Sequence, residues 1–242
     1  RGEAMLPGYR YLVIYKDLYS TYGNSIDWFF GSKGIFSFSN EIFTSFLLDY
    51  NEKRDANKDY FFDKYLLFED AFIPWSEYNH PQYGPVEIGG FKKNARRVNP
   101  GFLIESDAHR NMAFVLYHAY HTPKPVIENI AEKSLGNRLL QIDVRIRNDR
   151  MIPTHAIHDI INRIERPDYI SIEGAKVIAG MIVDNPDLNL TTEQIQNPAR
   201  LEVKNIPGMG SVVVRWIVRD TKDYTISVDS AKGGIVKQSK NH

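Results

Sequence analysis

From Leu140 to Arg147 the chain alternates strictly: Leu140, Ile142, Val144 and Ile146 are apolar, while Gln141, Asp143, Arg145 and Arg147 are polar. A period of two over that length fits a half-buried antiparallel strand and excludes an amphipathic helix. Similar short runs follow at Tyr169 to Ile172, Val177 to Val183, Leu201 to Val203, Val212 to Val218 and Tyr224 to Val228. Turn signals separate them at Glu173-Gly174, Asn185-Pro186, Pro207-Gly208 and Gly233-Gly234. Short strands at this spacing predict an all-β antiparallel sandwich over 138–242, with a short helical insertion from Ala156 to Ile164. Residues 123–137, opened by Pro123 and Pro125, are expected to be a linker.

The preceding 122 residues have a different period. The mixed apolar spacing over residues 9–22 suits a helix-like segment, broken at Gly23-Asn24-Ser25. Residues 34–43 alternate Ile, Phe and small polar residues and predict a strand. The polar stretch 51–59 reads as an exposed loop, and Lys58 to Ile73 as a helix stopped by Pro74. Residues 74–101, rich in Pro, Gly and Tyr, read as irregular. Glu105 to Tyr120 predicts an amphipathic helix with Glu105 and Asp107 in its first turn. Ala108, Met112, Val115, Leu116 and Ala119 form its expected buried stripe.

Lys+Arg and Asp+Glu both number 30, so the charge balance gives no reason to expect nucleic acid as the partner. There is no cysteine, which excludes a disulfide framework and a cysteine nucleophile. No apolar run approaches a membrane span. The chain opens on Arg1, and the expectation is a fragment or processed product whose targeting signal lies upstream.

The chemistry-bearing stretch is Tyr9 to Glu41. It carries Tyr9-Arg10-Tyr11, then Tyr19, then Gly23-Asn24-Ser25-Ile26-Asp27-Trp28, then Phe36-Ser37-Phe38-Ser39-Asn40-Glu41. These motifs, in this register and without a gap, resemble the carboxypeptidase A family of zinc metallopeptidases. That family has a Tyr-basic-Tyr triplet, a mobile loop tyrosine, a Gly-x-Ser-Ile-Asp-Trp motif and a strand ending in the catalytic glutamate. The resemblance covers roughly residues 1–122. It implies the C-terminal portion of a carboxypeptidase-like α/β domain, followed by the β-sandwich.

The resemblance assigns roles residue by residue. Glu41 would be the general base that takes a proton from the attacking water and returns one to the leaving amine. Tyr19 would close over the substrate near its terminal carboxylate. Ile26 would sit at the base of the pocket for the C-terminal side chain; an aliphatic residue there favours apolar or aromatic side chains over Lys or Arg. The implied substrates are peptide or protein C-termini, and the implied setting is secreted or periplasmic. Read without the resemblance, Glu41 is a solvated strand end, Tyr19 half-buried packing and Ile26 core. Asp27 and Trp28 are expected to be structural, with the carboxylate binding loop amides while the indole packs.

The family's His-x-x-Glu pair, its third zinc-binding His and its carboxylate-clamping arginines precede the tyrosine loop, and none is in this chain. Its histidines (His80, His109, His118, His121, His155, His158 and His242) all follow Glu41. Zinc would therefore be bound by an upstream part. His155-x-x-His158 has a spacing that suits a metal on a helix, but no third ligand is evident. His118-x-x-His121 reads as a helix cap. Segments 74–91 and 110–114 also resemble bacterial members of the family. Within them Glu87 is expected to be a hydrogen-bonded structural residue, and Gly89-Gly90 a turn or a close backbone approach. Lys92, Lys93, Arg96 and Arg97 read as a solvated loop. A non-catalytic binding or scaffold protein that retains the peptidase fold is the alternative.

Overall fold

Branched and aromatic side chains on alternate positions can all be buried only if one sheet face closes on another. The computed structural model, which describes residues 5–6, 9–42, 56–95 and 97–240, shows this closure in the C-terminal half. Strands β3 (Pro125–Gly136), β4 (Leu139–Asn148), β5 (Asp168–Glu173), β6 (Lys176–Asn185), β7 (Leu190–Glu193), β8 (Arg200–Val203), β9 (Ser211–Arg219), β10 (Tyr224–Ser230) and β11 (Gly234–Lys240) form two sheets. One has the order β3-β4-β9-β6-β7 and the other β11-β10-β5-β8. Every pairing in them is antiparallel.

Ile142, Val144 and Ile146 of β4 meet Val214, Trp216 and Val218 of β9 on one inner face. Ile170, Leu201, Ile226 and Val228 come from the other. Trp216 is fully buried, and its indole N–H donates to the Pro198 carbonyl at 2.8 Å. The outward residues of the same strands pair by charge. Arg215 stands opposite Asp143 in the ladder and grips it through two nitrogens at 2.6 and 2.8 Å.

The expected strands at 140–147, 169–172, 177–183, 201–203, 212–218 and 224–228 are present, and Ile157–Asn162 is the expected short helix. Three strands of the sandwich differ from the expectation: β3, β7 and β11. Residues 125–136 are thus not a linker but a strand at the edge of the larger sheet, where a proline at the first position loses no ladder bond. Glu132 on β3 accepts the Tyr224 hydroxyl at 2.5 Å and pairs with Lys240 at 3.3 Å, joining β3 to β10 and β11 of the other sheet.

The chain divides into two compact units. One draws on Arg1–Thr21 and Ser39–Tyr117, the other on Tyr22–Phe38 and His118–His242. In the first, residues 9–22 form no long helix, only a π-helical turn at Ile14–Leu18. Helix α2 (Ala56–Leu66) replaces the expected loop over its first residues; 51–55 lie outside the described residues. It stops well before Ile73. The buried Asp63 accepts the Ala71 amide at 2.7 Å, and Phe68 and Glu69 take left-handed angles of 55° and 62°.

Residues 72–91, expected to be the end of a helix at 72–73 and irregular from 74 on, form a hairpin of β1 (Phe72–His80) and β2 (Gly84–Phe91). Pro74 sits at an irregularity between Ile73 and Ser76, so it costs no ladder bond and does not stop a helix. Gly89 is a close approach: a Cβ there would stand 2.7 Å from Trp75 Cα. Glu87 is exposed and faces Glu77 across the ladder.

Helix α3 (Gly101–Tyr120) begins earlier than predicted, so its first turn carries no acidic residue. Its inward face is also not the predicted one. Asp107 and Asn111 are buried, whereas Met112, Val115 and Leu116 are 46%, 59% and 59% exposed. Hydrogen bonds, not apolar area, set the face that this helix turns inward. Among the described residues, 34–42 belong to no sheet, so the predicted strand is absent there, and residue 43 is outside the described residues. Alternation supplies a strand's faces, while a ladder needs a neighbour.

Trp216→Ala is expected to destabilise the sandwich by about 3–5 kcal/mol, read from urea unfolding by circular dichroism. Ile235→Ala, at a 69% exposed site, serves as the control and should shift the midpoint little.

Candidate functional site

Within the first unit a polar network ties the ends of the Tyr9–Glu41 stretch to α3. The Tyr9 hydroxyl donates to the Asp107 carboxylate, 2.9 and 3.1 Å from its two oxygens. Asn99 Nδ2 donates to Asp107 Oδ2 at 2.7 Å, and Asn111 Nδ2 to Asp107 Oδ1 at 3.1 Å. Asn111 Oδ1 in turn accepts Asn40 Nδ2 at 2.8 Å. The residue before Glu41 is thereby fixed, and the Glu41 side chain is left exposed. Tyr19 closes the π-helical turn, its amide donating to the Ile14 carbonyl at 3.0 Å, with its ring 65% exposed.

Ile26 belongs to the second unit. It lies on helix α1 (Ser25–Lys33), which a capping box starts: the Asn24 amide donates to Asp27 Oδ2 at 3.2 Å. Asp27 thus binds amides as expected of a structural carboxylate. Trp28 does not pack inward; it is 52% exposed, edge-on to Phe29 with the Lys33 ammonium 5.4 Å from its ring centre. Ile26 is half-buried, and its carbonyl accepts the Ser37 hydroxyl at 3.2 Å. Gly34 ends α1 at φ 59°, where a Cβ would stand 2.8 Å from Asp159 Cβ.

That approach leads to a buried charged cluster around the short helix α4 (Ile157–Asn162). His155 Nδ1 faces Asp159 Oδ2 at 2.8 Å, and its Nε2 faces Asp168 Oδ1 at 3.3 Å. Only the imidazolium has a proton on both nitrogens to offer two carboxylates. Burial opposes the charge, but the hydrogen bonds and attraction of Asp168 and Asp159 outweigh it and raise the His155 pKa. Asp159 is also desolvated. Hydrogen bonds from Lys232, the Glu165 amide and His155, with the Lys232 charge, nonetheless hold its carboxyl below the ordinary range. Lys232 Nζ also donates to the Gly34 carbonyl at 2.9 Å. Among the described residues, Asp168 Oδ2 is buried with no hydrogen-bond partner.

The two histidines of His155-x-x-His158 point to different partners. Asn162 Nδ2 donates to His158 Nδ1 at 3.1 Å, which leaves Nε2 to donate to the Gly31 carbonyl at 3.2 Å. Phe30 stacks on the His158 ring at 5.2 Å. The His118 ring stands edge-on to Phe38 at 5.0 Å. Lys92 pairs with Asp70 at 2.6 Å on the surface, Lys93 and Arg97 are exposed, and Arg96 and His242 lie outside the described residues. Among the described residues no helix is long and apolar enough to cross a membrane.

Residues 124–241 match a family model described as a domain of unknown function (DUF8731). The match spans the strands of the sandwich. No curated protein matches the chain.

The cluster makes stability depend on pH in a defined direction. The His155 pKa is raised by folding, so its contribution is complete below 6.5 and is lost as pH climbs through the folded value. The Asp159 pKa is lowered, so its contribution is complete above 3.8 and is lost as pH falls through the folded value. Thermal melts across pH should show a plateau between these limits with an alkaline decline. His155→Gln should cost about 3–5 kcal/mol, because it strands buried carboxylates, and should flatten the alkaline decline. An unchanged decline in the variant would assign it to other groups.

Proposed function

We propose that this chain is the C-terminal part of a zinc carboxypeptidase that removes C-terminal residues from peptides, with Glu41 as general base. The observation that carries the reading is the register of Tyr9, Tyr19, Asn24 to Trp28 and Glu41, together with the network on α3. Tyr9 and Asn40, at opposite ends of that register, are bonded to Asp107 and Asn111, one helical turn apart. A base must be held still to be efficient, and Asn40 anchors the backbone beside Glu41 while its carboxylate stays open to substrate.

The exposed stripe of Met112, Val115 and Leu116 supports the α/β part of the reading. A helix of such a domain rests its apolar stripe on a sheet. Residues 34–41, with strand-like alternation and no ladder, fit the edge of that sheet.

Zinc, held by ligands that this reading places N-terminal to Arg1, would activate the attacking water and polarise the scissile carbonyl. Glu41 accepts the proton that the water loses and delivers it to the departing amine. Tyr19 donates from its exposed hydroxyl toward the terminal carboxylate. Ile26 offers no counter-charge, so the preferred C-terminal residues are apolar or aromatic. Enzyme and substrates would meet outside the cytoplasm, in a secreted or periplasmic setting.

The 242-residue chain alone should neither retain zinc in equilibrium dialysis nor cleave a peptide ending in Phe or Leu. With the upstream segment present, Glu41→Gln should keep the metal and lower kcat by about 10²–10⁴-fold. Stoichiometric zinc with turnover in the chain alone would misplace the site. A Gln variant with normal kcat would make Glu41 structural, and full-length protein without turnover would favour the scaffold alternative.

A further inference from the structure

Residues 22–38 carry the Ser-Ile-Asp-Trp motif, yet they belong to the same compact unit as the sandwich. Three contacts fasten them there. Lys232, in the β10–β11 turn, donates to the Gly34 carbonyl at 2.9 Å and is salt-bridged to the buried Asp159. The His158 ring donates to the Gly31 carbonyl at 3.2 Å and lies against Phe30. Gly34 fits over Asp159 only because it lacks a side chain, at a left-handed φ of 59° that suits glycine. Inside the segment, Ser37 binds the Ile26 carbonyl and Phe30 packs at 5.8 Å on Phe36, so what holds Gly34 and Gly31 also holds Ile26.

We propose that the β-sandwich is a positioning domain for the specificity pocket: Lys232, Asp159 and His158 fix the segment that carries Ile26 and so set which C-terminal side chain is accepted. The fastening stands on the contacts alone; the role in specificity rests on the carboxypeptidase reading. The three are positioning residues, since none of them is assigned to touch substrate. The sandwich then supplies part of the pocket's rigidity, because a half-buried Ile26 on a loose helix would present no fixed floor to a side chain.

The test uses the full-length zinc-loaded enzyme with three variants. Gly34→Ala drives a methyl into Asp159 without removing a charge, His158→Ala removes a half-buried ring, and Lys232→Arg conserves the charge. Hydrogen exchange by mass spectrometry reads residues 22–38 against the amides of β4 and β9. Steady-state kinetics compare peptides ending in Phe and in Ala.

The expected result is exchange about tenfold faster in 22–38 for Gly34→Ala and His158→Ala, with the sandwich amides unchanged. KM for the Phe peptide should rise about tenfold and the Phe-over-Ala preference should shrink. In these variants kcat should stay within about twofold, and Lys232→Arg should track the parent. Unchanged exchange in 22–38 in both Gly34→Ala and His158→Ala would overturn the fastening. Faster exchange with the same KM and preference would overturn the role in specificity. Absence of turnover in the parent would instead overturn the carboxypeptidase reading, and the exchange data would still decide the fastening.

Discussion

Asp159 is shut off from water, and the chain around it is arranged so that it stays charged. A carboxylate taken out of water costs several kcal/mol unless its lone pairs are engaged and its charge is answered. Here Lys232, the His155 ring and the Glu165 amide engage them. These groups come from the β10–β11 turn, the approach to α4 and the approach to β5. Each of those connections must therefore adopt one path. The backbone of Gly34 is drawn in through the same lysine, 198 residues away in sequence. Packing of the two sheets supplies the bulk of the stability, while this cluster specifies how the loops at one end close. His155 is held between two negative charges, so its own protonation becomes part of that specification.

In the other unit a second polar network plays the comparable role. Helix α3 has an apolar stripe that its composition would turn inward, yet Asp107 and Asn111 are the buried residues. Tyr9, Asn99 and Asn40 satisfy them. An exposed stripe containing Val115 and Leu116 is the sort of surface that marks a packing partner. The carboxypeptidase reading gives this face a use, since the sheet of an α/β domain would cover it.

Much of the sandwich could be read directly from the residues. Strands such as β4 and β9 are long, buried on one face and strictly alternating, so local pattern and tertiary burial agree. The failures have separate causes. β3 is an edge strand opened by Pro125 with only loose alternation, and its place is set by Glu132 reaching Tyr224 and Lys240. The β1–β2 hairpin hides behind Pro74 and paired glycines, which read as loop until the bulge that accommodates them is seen. Residues 34–41 have the alternation of a strand without a neighbour to make them one.

The Tyr9–Glu41 register is a local spacing and can be picked out from the sequence alone. The His155 cluster cannot, because Asp168 and Lys232 are remote in sequence. The local hint is a carboxylate one turn after the histidine, and the His155-x-x-His158 spacing overlaps it. Spacing brings the two rings near one face, but their hydrogen-bond partners decide where each points. Asp159 claims one and the Gly31 carbonyl the other.

Two of the three boundaries between the units fall at 21/22 and 38/39, inside a stretch that is continuous in sequence, and the third falls at 117/118. Tyr19 and Glu41 are held by the unit that contains α3, and Ile26 by the unit that contains the sandwich. A domain merely appended to its neighbour would follow it across a linker, such as the one expected over residues 123–137. Those residues are instead a strand of the sandwich, and the sandwich reaches back to take in residues 22–38. Gly34 shows how intimate that inclusion is. It is buried against the side chain of Asp159, and a single added carbon would collide with it. Removal of the sandwich would therefore expose Gly34 and leave the α1 segment without Lys232, His158 or Asp159 to pack on. On this geometry the compact unit that contains the β-sandwich also holds residues 22–38 of the Tyr9–Glu41 stretch.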